Sequence, residues 1–121
     1  MGRKRMITAL VLAGVAALGV SHALGASEAI TASSTCCTYG KPSFTIERGA
    51  LATFDNQDPG TSPRDVTSFD NGAKNRPLFR TGEINLGQTP VPGTDALGPG
   101  TYRFFCTVHP TEMQAQLVVT P

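Results

Sequence analysis

Between Gly100 and Met113 the chain reads GTYRFFCTVHPTEM, placing a thiol, an imidazole and a thioether within eight residues at the end of an apolar strand. Cys106, His109 and Met113 are soft donors of the kind a copper–thiolate centre uses. Thiolate and imidazole bond strongly, and a weak thioether tolerates both Cu(I) and Cu(II). Singly, each residue has an ordinary structural reading: a Cys on an apolar strand acts as a small hydrophobe, and a Met fills gaps. Their spacing behind an aromatic strand is what gives the set its meaning.

The elements that must position these residues follow from periodicity. From Thr101 to Cys106 the chain alternates, with Tyr102, Phe104 and Cys106 on one face and Arg103 and Phe105 on the other. This predicts a strand that aims the thiol inward. Pro110 has no N–H for a ladder and pushes His109 toward extended backbone, so the strand breaks there. The following loop can turn His109 and Met113 back toward the sulfur. Ala115, Leu117 and Val119 alternate against Gln114, Gln116 and Val118, predicting a last strand. Further strands are expected near Ser43 to Glu47, Leu51 to Asn56, Arg64 to Ser68 and Glu83 to Leu86. Asp58 to Pro63, Asp70 to Pro77 and Thr89 to Gly100 read as connectors rich in turn residues. Six or more short strands with long loops describe an all-β, Greek-key β-sandwich.

The run Gly-Thr-Tyr, an aromatic strand, Cys-x-x-His-Pro and Met resembles the carboxy-terminal signature of the cupredoxins, the plastocyanin, amicyanin and azurin-like blue copper proteins. Upstream, Ser43 to Gly49 followed by Leu51 to Asp58 resembles that family's strand, glycine turn and second strand ending in an Asn-x-Asp loop. Leu78-Phe79-Arg80-Thr81-Gly82 is similar to its Phe-x-Ser-Gly segment. The resemblance covers about residues 41–120. It implies a cupredoxin-like fold, a bound copper ion and one-electron transfer to a redox protein partner. Cys106 would be the thiolate, His109 the imidazole and Met113 the weak axial ligand.

One departure limits what can be carried over. The family places its first copper histidine after a Pro, whereas this chain reads Ser62-Pro63-Arg64-Asp65-Val66, with Arg64 where the His is expected. A guanidinium stays protonated and has no lone pair for a metal. The other histidine, His22, falls in the expected leader. Three arrangements remain open. Copper could be held by Cys106, His109 and Met113 with water or Asp65 as a substitute, a sulfur-rich set favouring Cu(I) and suited to holding or delivering copper to a copper-handling protein. The site could instead be degenerate, leaving a copper-free interaction module in which the Arg64 charge favours an anionic partner. Or Cys36 or Cys37 could complete the site, although nothing in the sequence places them there.

Length and composition fit a small exported domain. Arg3-Lys4-Arg5, the apolar run Met6 to Val20 and small residues near 23–25 form a signal peptide over 1–25. The run is shorter than the ~20 residues that span a bilayer, so no stable membrane insertion is expected after cleavage, and the protein would be periplasmic, extracellular or at the cell surface. Residues 26–40, rich in Ser, Thr and Ala and holding Cys36-Cys37, read as a flexible tether, with the domain over 41–121. Of three cysteines at least one stays unpaired in an oxidising compartment, and Cys106 is the natural metal thiolate. Adjacent Cys36 and Cys37 could form a vicinal disulfide, pair between chains, stay reduced or bind metal.

Several function classes are excluded. Cleavage would remove three of ten basic residues, leaving seven against nine acidic ones, a net charge of about −2 with no basic face for nucleic acid. Lys74, Arg76 and Arg80 read as a solvated loop before they read as a docking patch. No nucleophile elbow accompanies His109, and Gly98-Pro99-Gly100 precedes a strand rather than a phosphate-binding helix, so the protein is not read as an enzyme.

Overall fold

The computed structural model describes residues 27–60 and 62–121; the expected leader lies outside them. Among the described residues seven strands form two sheets: β1 (Ile30–Ala32), β2 (Ser43–Glu47), β3 (Thr53–Asn56), β4 (Thr67–Ser68), β5 (Gly87–Pro90), β6 (Gly100–Phe105) and β7 (Gln114–Thr120). One sheet has the order β1-β3-β5, the other β2-β7-β6-β4. The β1/β3 and β2/β7 pairs are parallel and the rest antiparallel. The only helical pieces among the described residues are 3-10 turns at Ala73–Asn75 and Thr94–Ala96, and none is long and apolar enough to cross a membrane.

Period-two alternation builds the core. Phe44 and Ile46 of β2 and Ala115, Leu117 and Val119 of β7 point inward and pair in register, Phe44 beside Leu117 and Ile46 beside Val119. Phe104 is the hub: Tyr39 meets it edge-on at a centroid distance of 4.8 Å, with Phe79 at 6.2 Å and Phe44 at 6.3 Å. Edge-to-face packing of this kind adds to burial and fixes relative orientation. Tyr102, Phe104 and Cys106 share a face as the alternation predicts, with Arg103 exposed on the other.

Three expectations change. Residues 27–40 are not only a tether: Ile30 and Ala32 are buried in β1, and Glu28 N–H donates to the Thr45 carbonyl at 2.9 Å, so the segment binds both sheets in turn. Its partners are distant in sequence, and a Ser/Thr-rich composition conceals so short a parallel strand. The expected strand from Arg64 to Ser68 shrinks to β4, with Arg64 in an isolated bridge to Ile84. The strand expected at Glu83 to Leu86 falls instead at Gly87–Pro90, whose last two residues open the stretch read as connector. Pro90 is tolerated because β5 is the sheet edge, and the ladder resumes with Val91 N–H to the Ala52 carbonyl at 2.8 Å.

Candidate metal centre

The pairing of β4 with β6 and of β6 with β7 converges on one loop, residues 106–113. Phe105 is the last paired residue of β6, and Cys106 N–H then donates to the Met113 carbonyl at 3.0 Å. His109 N–H reaches the Cys106 carbonyl at 3.2 Å, and Met113 N–H reaches the His109 carbonyl at 3.0 Å. The three predicted residues are thus linked by consecutive backbone bonds. Cys106 is a free thiol, and both it and Met113 are fully buried, whereas His109 is partly exposed.

Asp65, just before β4, fastens this loop to its neighbour. Its N–H donates to Cys106 Sγ at 3.4 Å, and its carboxylate accepts Thr107 N–H at 2.9 Å, the Thr107 hydroxyl, and the Thr67 hydroxyl at 3.3 Å. Tyr39 donates to the Asp65 carbonyl at 2.6 Å. The Asp65 carboxylate, considered above as a substitute ligand, is therefore already engaged with Thr67 and Thr107. Burial, followed by the nearness of Cys106 and Asp65, raises the Tyr39 phenol far above its ordinary pKa, so it remains a neutral donor. Sequence reasoning missed Tyr39 and Thr107; residue type alone carries no signal for either role.

Arg64 does not present its charge to solvent. It is 3% exposed and holds Asp58 at 2.6 Å, with further bonds to the Ser62 and Pro63 carbonyls at 3.0 Å. Asp58 also accepts Gly60 N–H at 2.8 Å, and Asn56 ties the Asp58 N–H to the Ile84 carbonyl through its amide. Arg64 therefore presents its charge inward, to Asp58 and neighbouring groups, and not to a partner surface.

The remaining Arg64 bond runs to Cys36 Sγ at 3.3 Å, and the same sulfur lies 3.9 Å from His109 Nε2. Cys36 and Cys37, joined as a vicinal disulfide, form with His109 a group whose donor atoms all lie within 4.8 Å of one another. The Cys106 sulfur is not part of that group. The approach of the Cys36–Cys37 pair, which nothing in the sequence fixed, is made by the turn between β1 and Tyr39, closed by Ser33 N–H donating to the Thr38 carbonyl at 2.9 Å.

Comparison with known proteins shows the fold. No protein-family model matches the chain, and no curated protein sequence matches it. Among solved structures, a reduced amicyanin variant is 20% identical, with a TM-score of 0.58 over 78% of this chain and 83% of that one. A purple cupredoxin from Nitrosopumilus maritimus is 20% identical, with a TM-score of 0.58 over 77% of this chain and all of its own. The Cu(I) form of a further amicyanin variant gives 22% identity and a TM-score of 0.56, over 80% of this chain and 88% of its own. Two sheets in this order, closed by the β6–β7 loop, are the cupredoxin sandwich, and that is the fold of this chain.

Proposed function

We propose that this protein binds copper in the β6–β7 loop and exchanges single electrons with a redox protein partner outside the cytoplasm. Cys106 supplies the thiolate, His109 the imidazole and Met113 the weak thioether. The observation that carries the reading is the buried free thiol of Cys106, held by Asp65 N–H at the mouth of a loop that presents His109. An N–H aimed at sulfur stabilises the thiolate and tunes the electron density it offers a metal. Copper, when bound, supplies a one-electron couple. The chain contributes a buried floor of Phe104 and Tyr39, and a loop fastened to Asp65 through Thr107. The likeness to amicyanin solved in a Cu(I) form supports the metal. Export rests on the leader at residues 1–25, and after its removal the protein is free of the membrane.

A second reading, holding or delivery of Cu(I), is favoured by the buried Arg64–Asp58 pair, because no imidazole stands where the resemblance expects one. The test is Cu(II) titration of the thiol-reduced mature domain with visible absorption and paramagnetic resonance. An intense thiolate-to-copper band with narrow hyperfine splitting, lost in Cys106→Ala, is the expected result. Absence of the band alongside tight Cu(I) binding would overturn electron transfer in favour of copper holding, and absence of binding by either ion would overturn both.

A further inference from the structure

We infer that Cys36 and Cys37, in their dithiol form, join His109 in a Cu(I) site that opens when an external dithiol reduces the pair and closes when exchange with an external disulfide, itself reduced to a dithiol, re-forms it. The inference rests on the reading of His109 as a copper ligand and names the donors that replace the missing imidazole. With the pair as a disulfide, both sulfurs and a His109 ring nitrogen lie within 4.8 Å of one another. Opening the pair leaves the two sulfurs on the same turn, within reach of one ion bonded at about 2.3 Å, the value for zinc. Two sulfurs and one imidazole are the donors that select Cu(I).

Arg64 agrees with this assignment. Beside a cation-binding imidazole cluster a guanidinium would be repelled, but Cu(I) held by two thiolates carries a formal charge of −1. The Arg64 Nη2, 3.3 Å from Cys36 Sγ, then faces an anion, while Asp58 keeps the guanidinium in place on its other side. The turn that carries the pair is anchored on both sides, by Ile30 and Ala32 in β1 and by buried Tyr39 packed on Phe104. The sulfurs therefore sit over His109 by construction of the fold.

As a disulfide the pair offers no thiolate. An external dithiol opens it by exchange: one thiolate attacks a sulfur of the pair and breaks the Cys36–Cys37 bond, and its second thiol resolves the mixed disulfide. Two electrons and two protons reach Cys36 and Cys37, and the dithiol becomes a disulfide. Binding Cu(I) then releases the two thiol protons to solvent.

The experiment is anaerobic Cu(I) competition against a chromophoric chelator. It compares, each in a Cys106→Ala background so that the loop thiolate cannot hold the ion, the reduced mature protein, the same protein oxidised with diamide, and Cys36→Ser/Cys37→Ser, with folding checked by circular dichroism. Affinity in the oxidised protein and in the double variant is expected to fall at least 100-fold. Sulfur counting by X-ray absorption on the reduced Cys106→Ala protein, which lacks the loop thiolate, is expected to give two thiolate sulfurs per copper. A double variant within threefold of the reduced protein, or a single sulfur, overturns the inference. The Cys106 assignment is read separately, from the Cu(II) band of Cys106→Ala, so either can fail while the other stands.

Discussion

Replacing Arg64 by His would supply the ligand type that the cupredoxin resemblance expects, yet the structure predicts that this change alone unfolds the site it is meant to complete. Arg64 is 3% exposed and Asp58 5%, and their contact is 2.6 Å. Arg64→His withdraws the guanidinium from Asp58 and from two carbonyls, leaving a buried carboxylate whose remaining bond among the described residues is from Gly60 N–H. Removing one partner of a buried ion pair costs about 3–5 kcal/mol. At ~4–8 °C per kcal/mol for a domain of this size, the melting temperature should fall by at least about 12 °C. Asp58→Asn keeps an acceptor for Gly60 without the charge, so Arg64→His/Asp58→Asn should recover about 2 kcal/mol of the loss by relieving the orphaned carboxylate. Urea denaturation of the two single variants and the double variant closes the cycle. A coupling energy below about 1 kcal/mol, the range of exposed ion pairs, would refute the claim that this pair is buried and structural.

Other consequences follow from the same coordinates. Tyr39→Phe removes the donor to the Asp65 carbonyl and should cost about 1–2 kcal/mol in urea denaturation. Because the Tyr39 pKa is raised, the folded state holds its proton more tightly than the unfolded one. Stability should therefore be insensitive to this group below the ordinary phenol value near 10 and fall above it by about 1.4 kcal/mol per pH unit, a slope that Tyr39→Phe abolishes. Glu28 is lowered below 4.5, first by its bond to Lys41 and also by Thr45 N–H, so it stabilises the fold above that pH and the effect is lost as pH falls through its folded value. Glu28→Gln should flatten the acid limb of a pH–stability curve. Gly93 has φ +102° with its missing Cβ aimed at the Leu78 carbonyl, so Gly93→Ala should lower stability by at least about 2 kcal/mol, read by thermal melting.

Local chemistry wrote much of this protein directly into its sequence. The alternation through β2, β6 and β7 carries its own period, so strands, inward faces and the all-β class could be read from neighbouring residues, as could the loop that follows from Pro110. Cys106, His109 and Met113 stand close along the chain, and their spacing could be read as chemistry before any partner was placed. Tertiary structure decided the rest, because those contacts join residues far apart. Ile30–Ala32 becomes a strand only by pairing with Thr53–Asn56, and β5 is displaced from its expected place by its register on β3. Only packing could show that Arg64 is neutralised by Asp58, that Asp65 spends its carboxylate on Thr107 and Thr67, and that Cys36 lies over a histidine 73 positions away. A side chain's type sets which bonds it can make, but which of them it does make depends on the burial and geometry that the whole fold imposes.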